Sequence, residues 1–159
     1  MAYIYPAPGN ATHKTTLNLK VTGDTLGLDI PALQDVTLNA ANDVFTWTQL
    51  DTGSKLQIAT TATNSLGCNI VVEQASFFGT TTASEAAKTA GVFGLSGDKT
   101  KVNFELYLGS TDGVGSGSAD GKTISGSGYI TGLAPTVSAD SPVWITPITI
   151  TVDGDYTVS

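Results

Sequence analysis

Lys101-Val-Asn-Phe-Glu-Leu-Tyr-Leu108 decides the fold: Val102, Phe104, Leu106 and Leu108 alternate without a slip against Asn103, Glu105 and Tyr107. A period of two puts the first set on one side of a strand and the second on the other. One side is core, and the other is left for use. The same alternation recurs upstream at Leu17, Leu19 and Val21, and again at Leu56 and Ile58. Val36 and Leu38 share a face in 32–40, and Phe45 and Trp47 stand opposite Thr46 and Thr48 in 44–50. Asn42-Asp43 is read as the turn of a hairpin joining those two segments, and Asp51-Thr52-Gly53 as the next turn. A polar break is expected over 64–67, then a strand over 69–78.

One helix is expected. Thr82-Ala-Ser-Glu85 has the spacing of a capping box, in which Thr82 caps the first turn and Glu85 reaches back to it. Ala83, Ala86, Ala87 and Ala90 favour helix, and Gly91, Gly94 and Gly97 bring it to a close. Downstream of the deciding strand, residues 109–121 are nearly all Gly, Ser and Asp and are read as a flexible loop. Residues 123–133 and 143–152 form a closing strand pair. In the second of these, apolar residues move from odd positions (Val143, Ile145) to even ones (Ile148, Ile150, Val152), with Pro147 at the change. A bulge or an edge position is predicted there. The fold class that follows is mostly β: two packed antiparallel sheets, sandwich-like or barrel-like, with one short α-helix. A single domain over 13–159 is preceded by an extended arm over 1–12 that carries Tyr3, Ile4 and Tyr5.

Composition excludes several functions. The chain has 159 residues, 14 acids against 7 bases, a net charge of -7 and one His. All the bases are Lys, so the side chain best shaped for bidentate phosphate recognition is missing, and the net charge repels nucleic acid. Cys68 stands alone, which leaves neither an internal disulfide nor a Cys-rich zinc site. His13 has no Cys, Asp or Glu beside it, and no nucleophile elbow, zinc-protease or phosphate-loop motif is present. No enzyme, cofactor or metal is expected. Asp112 with Asp120, and Asp153 with Asp155, read as turn residues rather than calcium ligands, and Asn10-Ala-Thr12 carries no weight as a sequon without a leader. No secretion leader and no membrane-spanning segment are expected.

The order of elements in the second half, a Thr-Ala-Ser-Glu-Ala-Ala helix, the VNFELYLGS strand and then GSGYITGLAPTVSADSPVWITPITITVDG, resembles the tail tube proteins of tailed bacteriophages. Gly126-Ser-Gly128-Tyr-Ile130-Thr-Gly-Leu133, followed by the alternating Ile and Thr of 145–154, carries the closing pair, and the resemblance spans about residues 33–154. It implies a virion structural protein, made in the host cytoplasm, that self-assembles into stacked hexameric rings around an acidic lumen. Its partners would be copies of itself, other tail proteins and, transiently and without specificity, DNA in the lumen. Tyr3, Ile4, Tyr5, Asp112, Val114, Asp120, Tyr156 and Val158 are the expected inter-subunit contacts, and Glu73 and Glu105 the expected lumen-facing acids. Two rivals are a capsid decoration protein and a carbohydrate-binding sandwich displaying Trp47, Trp144 or Tyr107 in an exposed row.

Overall fold

The computed structural model describes residues 15–51, 53–60, 63–81, 84–108 and 122–159. In chain order the strands are β1 (Thr16–Lys20), β2 (Leu28–Ile30), β3 (Leu33–Ala41), β4 (Val44–Thr48), β5 (Lys55–Ala59) and β6 (Thr63–Val71). Two helices follow, α1 (Gln74–Phe78) and α2 (Ala86–Gly97), and then β7 (Val102–Leu108), β8 (Lys122–Leu133), β9 (Thr136–Ser138), β10 (Ser141–Val152) and β11 (Thr157–Val158). Nine strands form one antiparallel sheet along the path β2-β1-β7-β8-β10-β6-β3, with β9 on β10 and β11 on β8, while β4 and β5 form a second sheet of two strands.

One connection dictates the sheet's shape. β2 and β3 sit at opposite ends of the path, yet only Pro31 and Ala32 separate them. From Ile30 to Leu33 the chain reaches about 10 Å at most, so a flat sheet cannot hold both edges and the sheet must roll. Ala32 makes the corner at a φ of 54° and its carbonyl accepts from Val71 N at 3.3 Å. The roll is not a closed barrel, because β2 and β3 do not pair with each other. It brings Leu17, Leu19, Phe104 and Leu106 from one layer against Leu66, Ile70, Ile148 and Ile150 from the other in a single core. The fold class is therefore the mostly β, antiparallel one expected, with its two packed layers supplied by one rolled sheet. Gly126 makes room for that core: a Cβ there would lie 2.8 Å from the Phe104 ring.

Several local expectations are corrected. There are two helices, not one: Glu73 in extended conformation turns its carboxylate onto Ala75 N (3.1 Å) and Ser76 N (2.8 Å), starting α1 where a strand was expected. Residues 64–67 lie inside β6 and are no break, since Gly67 and Ser65 take outward positions between the buried Asn64, Leu66 and Cys68. β3 pairs with β6, so the hairpin partner of β4 is β5 and not β3. The Pro147 expectation also fails, for β10 is central and its ladder with β6 runs unbroken from Ile145↔Val71 to Val152↔Asn64 through Pro147↔Asn69. Proline fits because its nitrogen needs no partner on the side where β8 and β9 hand over. The phase does not change either: buried Thr146 continues the inward row of Ile148, Ile150 and Val152. The register of β10 shifts instead between Thr149 and Ile150 against β8, and between Ser141 and Ile145 against β9.

The capping box is replaced by a reciprocal clasp. Glu85 is the residue before α2, but its carboxylate accepts from Leu26 N at 2.8 Å and from Gly27 N rather than turning back along its own chain. Asp24 returns the contact, accepting from Ala86 N at 2.8 Å and Ala87 N at 3.0 Å, and from Val21 N at 3.1 Å. Two carboxylates thus exchange partners between the β1–β2 turn and the start of α2, each holding backbone donors that would otherwise be orphaned. Desolvation pushes the Asp24 carboxyl up, but the hydrogen bonds from Val21, Ala87 and Ala86 and the charge of Lys88 outweigh it, and the group titrates below its ordinary value.

α2 does not end at Gly91 but kinks there, at φ 66°, and resumes to Gly97. A side chain at Gly91 would overlap the Gly79 nitrogen and the backbone of Phe77 and Phe78. Gly91→Ala is expected to cost about 2 kcal/mol or more, from strain and backbone overlap together, read as a lowered denaturant midpoint at unchanged slope. Asp24→Ala is expected to cost about 1 kcal/mol near pH 7. Since the folded value lies below the unfolded one, that stability is present above the ordinary carboxylate range and fades as pH falls through the folded value. Denaturation of the two proteins across pH 2–7 checks this, with the gap closing at the acid end.

Candidate assembly surfaces

The β4–β5 hairpin is built from residues that favour strand, Val44-Phe-Thr-Trp-Thr48 opposite Lys55-Leu-Gln-Ile-Ala59. Its root is fixed by Asp43, whose carboxylate accepts from Val44 N at 2.9 Å and whose carbonyl accepts from Thr60 N at 2.9 Å. Gly53 at φ 61° closes the far turn. Directly paired residues share a face, so Phe45 with Ile58 and Trp47 with Leu56 make one side apolar. Phe45 and Trp47 stack with centroids 5.9 Å apart. Among the described residues no other element packs substantially on this hairpin. Phe45 stays 58% exposed, Ile58 56%, and Leu50 at the tip fully exposed. A two-stranded hairpin is at best marginally stable alone, and this one keeps its apolar side uncovered.

Other surfaces are open too. Phe78 and Phe93, on α1 and α2, approach to 5.9 Å over the buried Phe77 and remain more than half exposed. Trp144 and Val143 are exposed on β10. The two tryptophans are thus outside the core. Tyr107, on β7, has its hydroxyl buried and without a hydrogen-bond partner among the described residues, so it is not displayed as a sugar-stacking platform would need. An open groove of about 340 Å³ runs between β7 and β8, lined by Asn103, Glu105, Ser125 and Ser127 and by Asp155 beyond them. Its Glu105 is taken by Lys20 at 3.2 Å. Among the described residues no three His, Cys, Asp or Glu side chains converge as metal ligands, and no helix is long and apolar enough to cross a membrane.

The expected site residues fare unevenly. Tyr3, Ile4, Tyr5, Asp112, Val114 and Asp120 lie outside the described residues, as do His13, Thr82 and the loop 109–121. Tyr156 is engaged within its own chain. Its ring meets Phe104 edge-on at 6.2 Å, and its hydroxyl lies 2.8 Å from Asn39 O and 3.0 Å from Ser65 O, closing one end of the roll. Val158 is exposed beside Ile124. Of the two acids, Glu73 caps α1, which lowers its carboxyl from the ordinary value, and Glu105 pairs with Lys20. Asp153 holds Lys101 at 2.7 Å. The hairpin's apolar side escaped sequence reasoning because 44–50 was paired with the wrong strand; the Phe-x-Trp and Leu-x-Ile spacing was the available signal.

A rolled antiparallel sheet with a detached apolar hairpin, and no converging reactive groups among its described residues, defines a β protein built around surfaces rather than a pocket. Within that class its fold is that of the tail tube proteins. The structure is similar to the tail of an empty gene transfer agent particle, described with C6 symmetry (TM-score 0.64, 13% identity, 96% of this chain and 99% of that one). It is similar as well to the SPP1 tail tube (0.63, 11%, 96% and 79%) and to the sheath–tube complex of the extracellular contractile injection system PVC (0.60, 14%, 98% and 92%). No family model and no curated protein matches the sequence.

Cys68 lies inward on β6, 3% exposed, and burial, with the nearby charge of Asp35, pushes its thiol up to about 12. The thiol is expected to stay silent to maleimide at pH 7 in the folded protein and to react fully in denaturant, as followed by mass spectrometry.

Proposed function

We propose that this chain is a tail tube subunit, a structural virion protein whose copies join into hexameric rings that stack into a hollow conduit for DNA. The observation that carries the reading is the β4–β5 hairpin, part of a fold shared with tail tube proteins but with Phe45, Trp47, Leu56 and Ile58 packed on one another and, among the described residues, on no other element to any substantial extent. A second copy supplies the missing cover. Side chains of this size, when buried at the centre of an interface, are worth on the order of 2 kcal/mol each. The edge of β3, which no other strand covers among the described residues, supports the same reading, since an exposed strand edge invites pairing with another chain. The arm with Tyr3, Ile4 and Tyr5, the loop with Asp112, Val114 and Asp120, and Val158 near the C-terminus are proposed as further contacts made on assembly. The net charge of -7 suits a conduit that must not grip a polyanion. Glu73 and Glu105, already committed to a helix cap and an ion pair, serve the lumen only through that overall charge.

Electron microscopy of the purified protein at high concentration tests this: rings or hollow tubes are expected, and a persistent monomer overturns it. The double substitution Phe45→Ser with Trp47→Ser is expected to abolish the tubes. It should leave the thermal midpoint of the free subunit nearly unmoved, because the hairpin contributes little to the subunit's own core. A large drop in that midpoint would place the two rings inside the fold rather than at an interface.

A further inference from the structure

Charge is distributed unequally between the outward sides of the two layers. The side formed by β1 and β7 carries Lys20 paired with Glu105, with Lys101 on Asp153 beside it. Along β3, β6 and β10, by contrast, the sole charged residue is Asp35, and both its carboxylate oxygens accept from Asn69 Nδ2 at 2.9 and 3.0 Å. Every described lysine lies elsewhere, on β1, β5, α2, the turn after it, immediately before β7, or at the first residue of β8. What the β3–β6–β10 side and the adjoining end of β8 present outward is mainly hydroxyl and amide, with Tyr129 exposed opposite Thr151, and Val143 and Trp144 exposed at the far end of β10. Thr149 and Thr151 alternate with inward Ile148 and Ile150, Ser65 and Asn69 with Leu66 and Cys68, and Thr37 with Val36 and Leu38. One pair of hydroxyls meets across the strands: Thr131 Oγ1 and Thr151 Oγ1 are 2.9 Å apart.

We infer that this uncharged hydroxyl and amide side of β3, β6, β10 and the end of β8 is the wall facing duplex DNA, which slides past it because nothing on it displaces a counterion. The inference rests on the tube reading and specifies its surface. Affinity for a duplex comes chiefly from cations that neutralise phosphates and release counterions. A surface with no cation lacks that term. Neutral hydroxyls and amides offer a phosphate no charged donor, and Tyr129, the exposed aromatic opposite Thr151, adds no positive charge. Conduction without grip then comes from neutrality of the wall, and the acids elsewhere on the chain set only the background field.

Cysteine accessibility in assembled tubes tests the placement, using Thr151→Cys and Thr37→Cys with Cys68 as the silent internal thiol. In tubes confirmed by electron microscopy, both new thiols are expected to react with a small maleimide and to resist, at least about tenfold, a maleimide coupled to a protein too wide to enter the bore. Equal reaction with both reagents would put this side on the exterior, and reaction with neither would put it between subunits; either overturns the inference while leaving the tube reading intact. Absence of tubes in the unsubstituted protein overturns both. A second readout bears on the chemistry: tubes of Thr151→Lys are expected to retain at least about tenfold more short duplex DNA than unsubstituted tubes, with retention lost as salt rises. Equal retention would sink the claim that neutrality of this wall is what keeps DNA free.

Discussion

Two residues of connection between the opposite edges of a sheet constrain everything else in this molecule. With Pro31 and Ala32 as the only link, β2 and β3 cannot lie at the ends of an open sheet, and the nine-stranded sheet has to curl until those ends meet. Curling turns one alternating pattern into a core. Within the rolled sheet, strands that read apolar on one side send that side inward, and Phe104, Leu106, Leu66 and Ile150 meet from both layers. Pro31 lacks an amide donor and so sits at a corner without breaking a ladder. The helices then plug what the roll leaves open, anchored by the exchange of carboxylates between Asp24 and Glu85.

The same constraint separates what is used from what is structural. A roll has outward sides that differ, and here one carries the ion pairs Lys20–Glu105 and Lys101–Asp153 while the other is almost free of charge. The hairpin β4–β5 leaves the roll between β3 and β6, which are themselves paired neighbours, so it is extruded as a loop from an otherwise continuous ladder. An extruded hairpin cannot use the chain's own core to cover its apolar side. This is why, of two aromatic residues that would ordinarily be buried in a strand, Phe45 stands exposed and Trp47 is only half-buried.

The acids tell a parallel story. Glu73, Asp24 and Glu85 hold helix and turn amides, Glu105 and Asp153 hold lysines, and Asp35 is held by Asn69. Asp24 and Glu73, whose carboxylates accept backbone donors, are favoured in their charged form, so part of the negative charge that looks dispensable in the sequence is fold-stabilising. The chain is acidic partly because its helix ends need carboxylates.

The sequence by itself determined the strands and their inward sides: the alternation at 102–108, at Leu17 and Leu19, and at Ile148, Ile150 and Val152 is local, and burying one side of a strand leaves no second choice. It also contained the tail tube order of elements, because that order is a matter of chain sequence. Partnership between strands was not legible. Asn42-Asp43 looks like a hairpin turn whether 33–41 pairs with 44–48 or with 63–71, and only the rolled sheet, which places β6 beside β3, decides. Glu85 satisfied a local capping rule while its carboxylate was drawn to Leu26 and Gly27 by a turn distant in the chain, and Pro147 looked like a break until β6 and the β8–β9 handover showed which side of the strand needs no donor. Spacing along the chain fixes which way a side chain points; which neighbour it meets is fixed only when the two ends of the sheet are forced together.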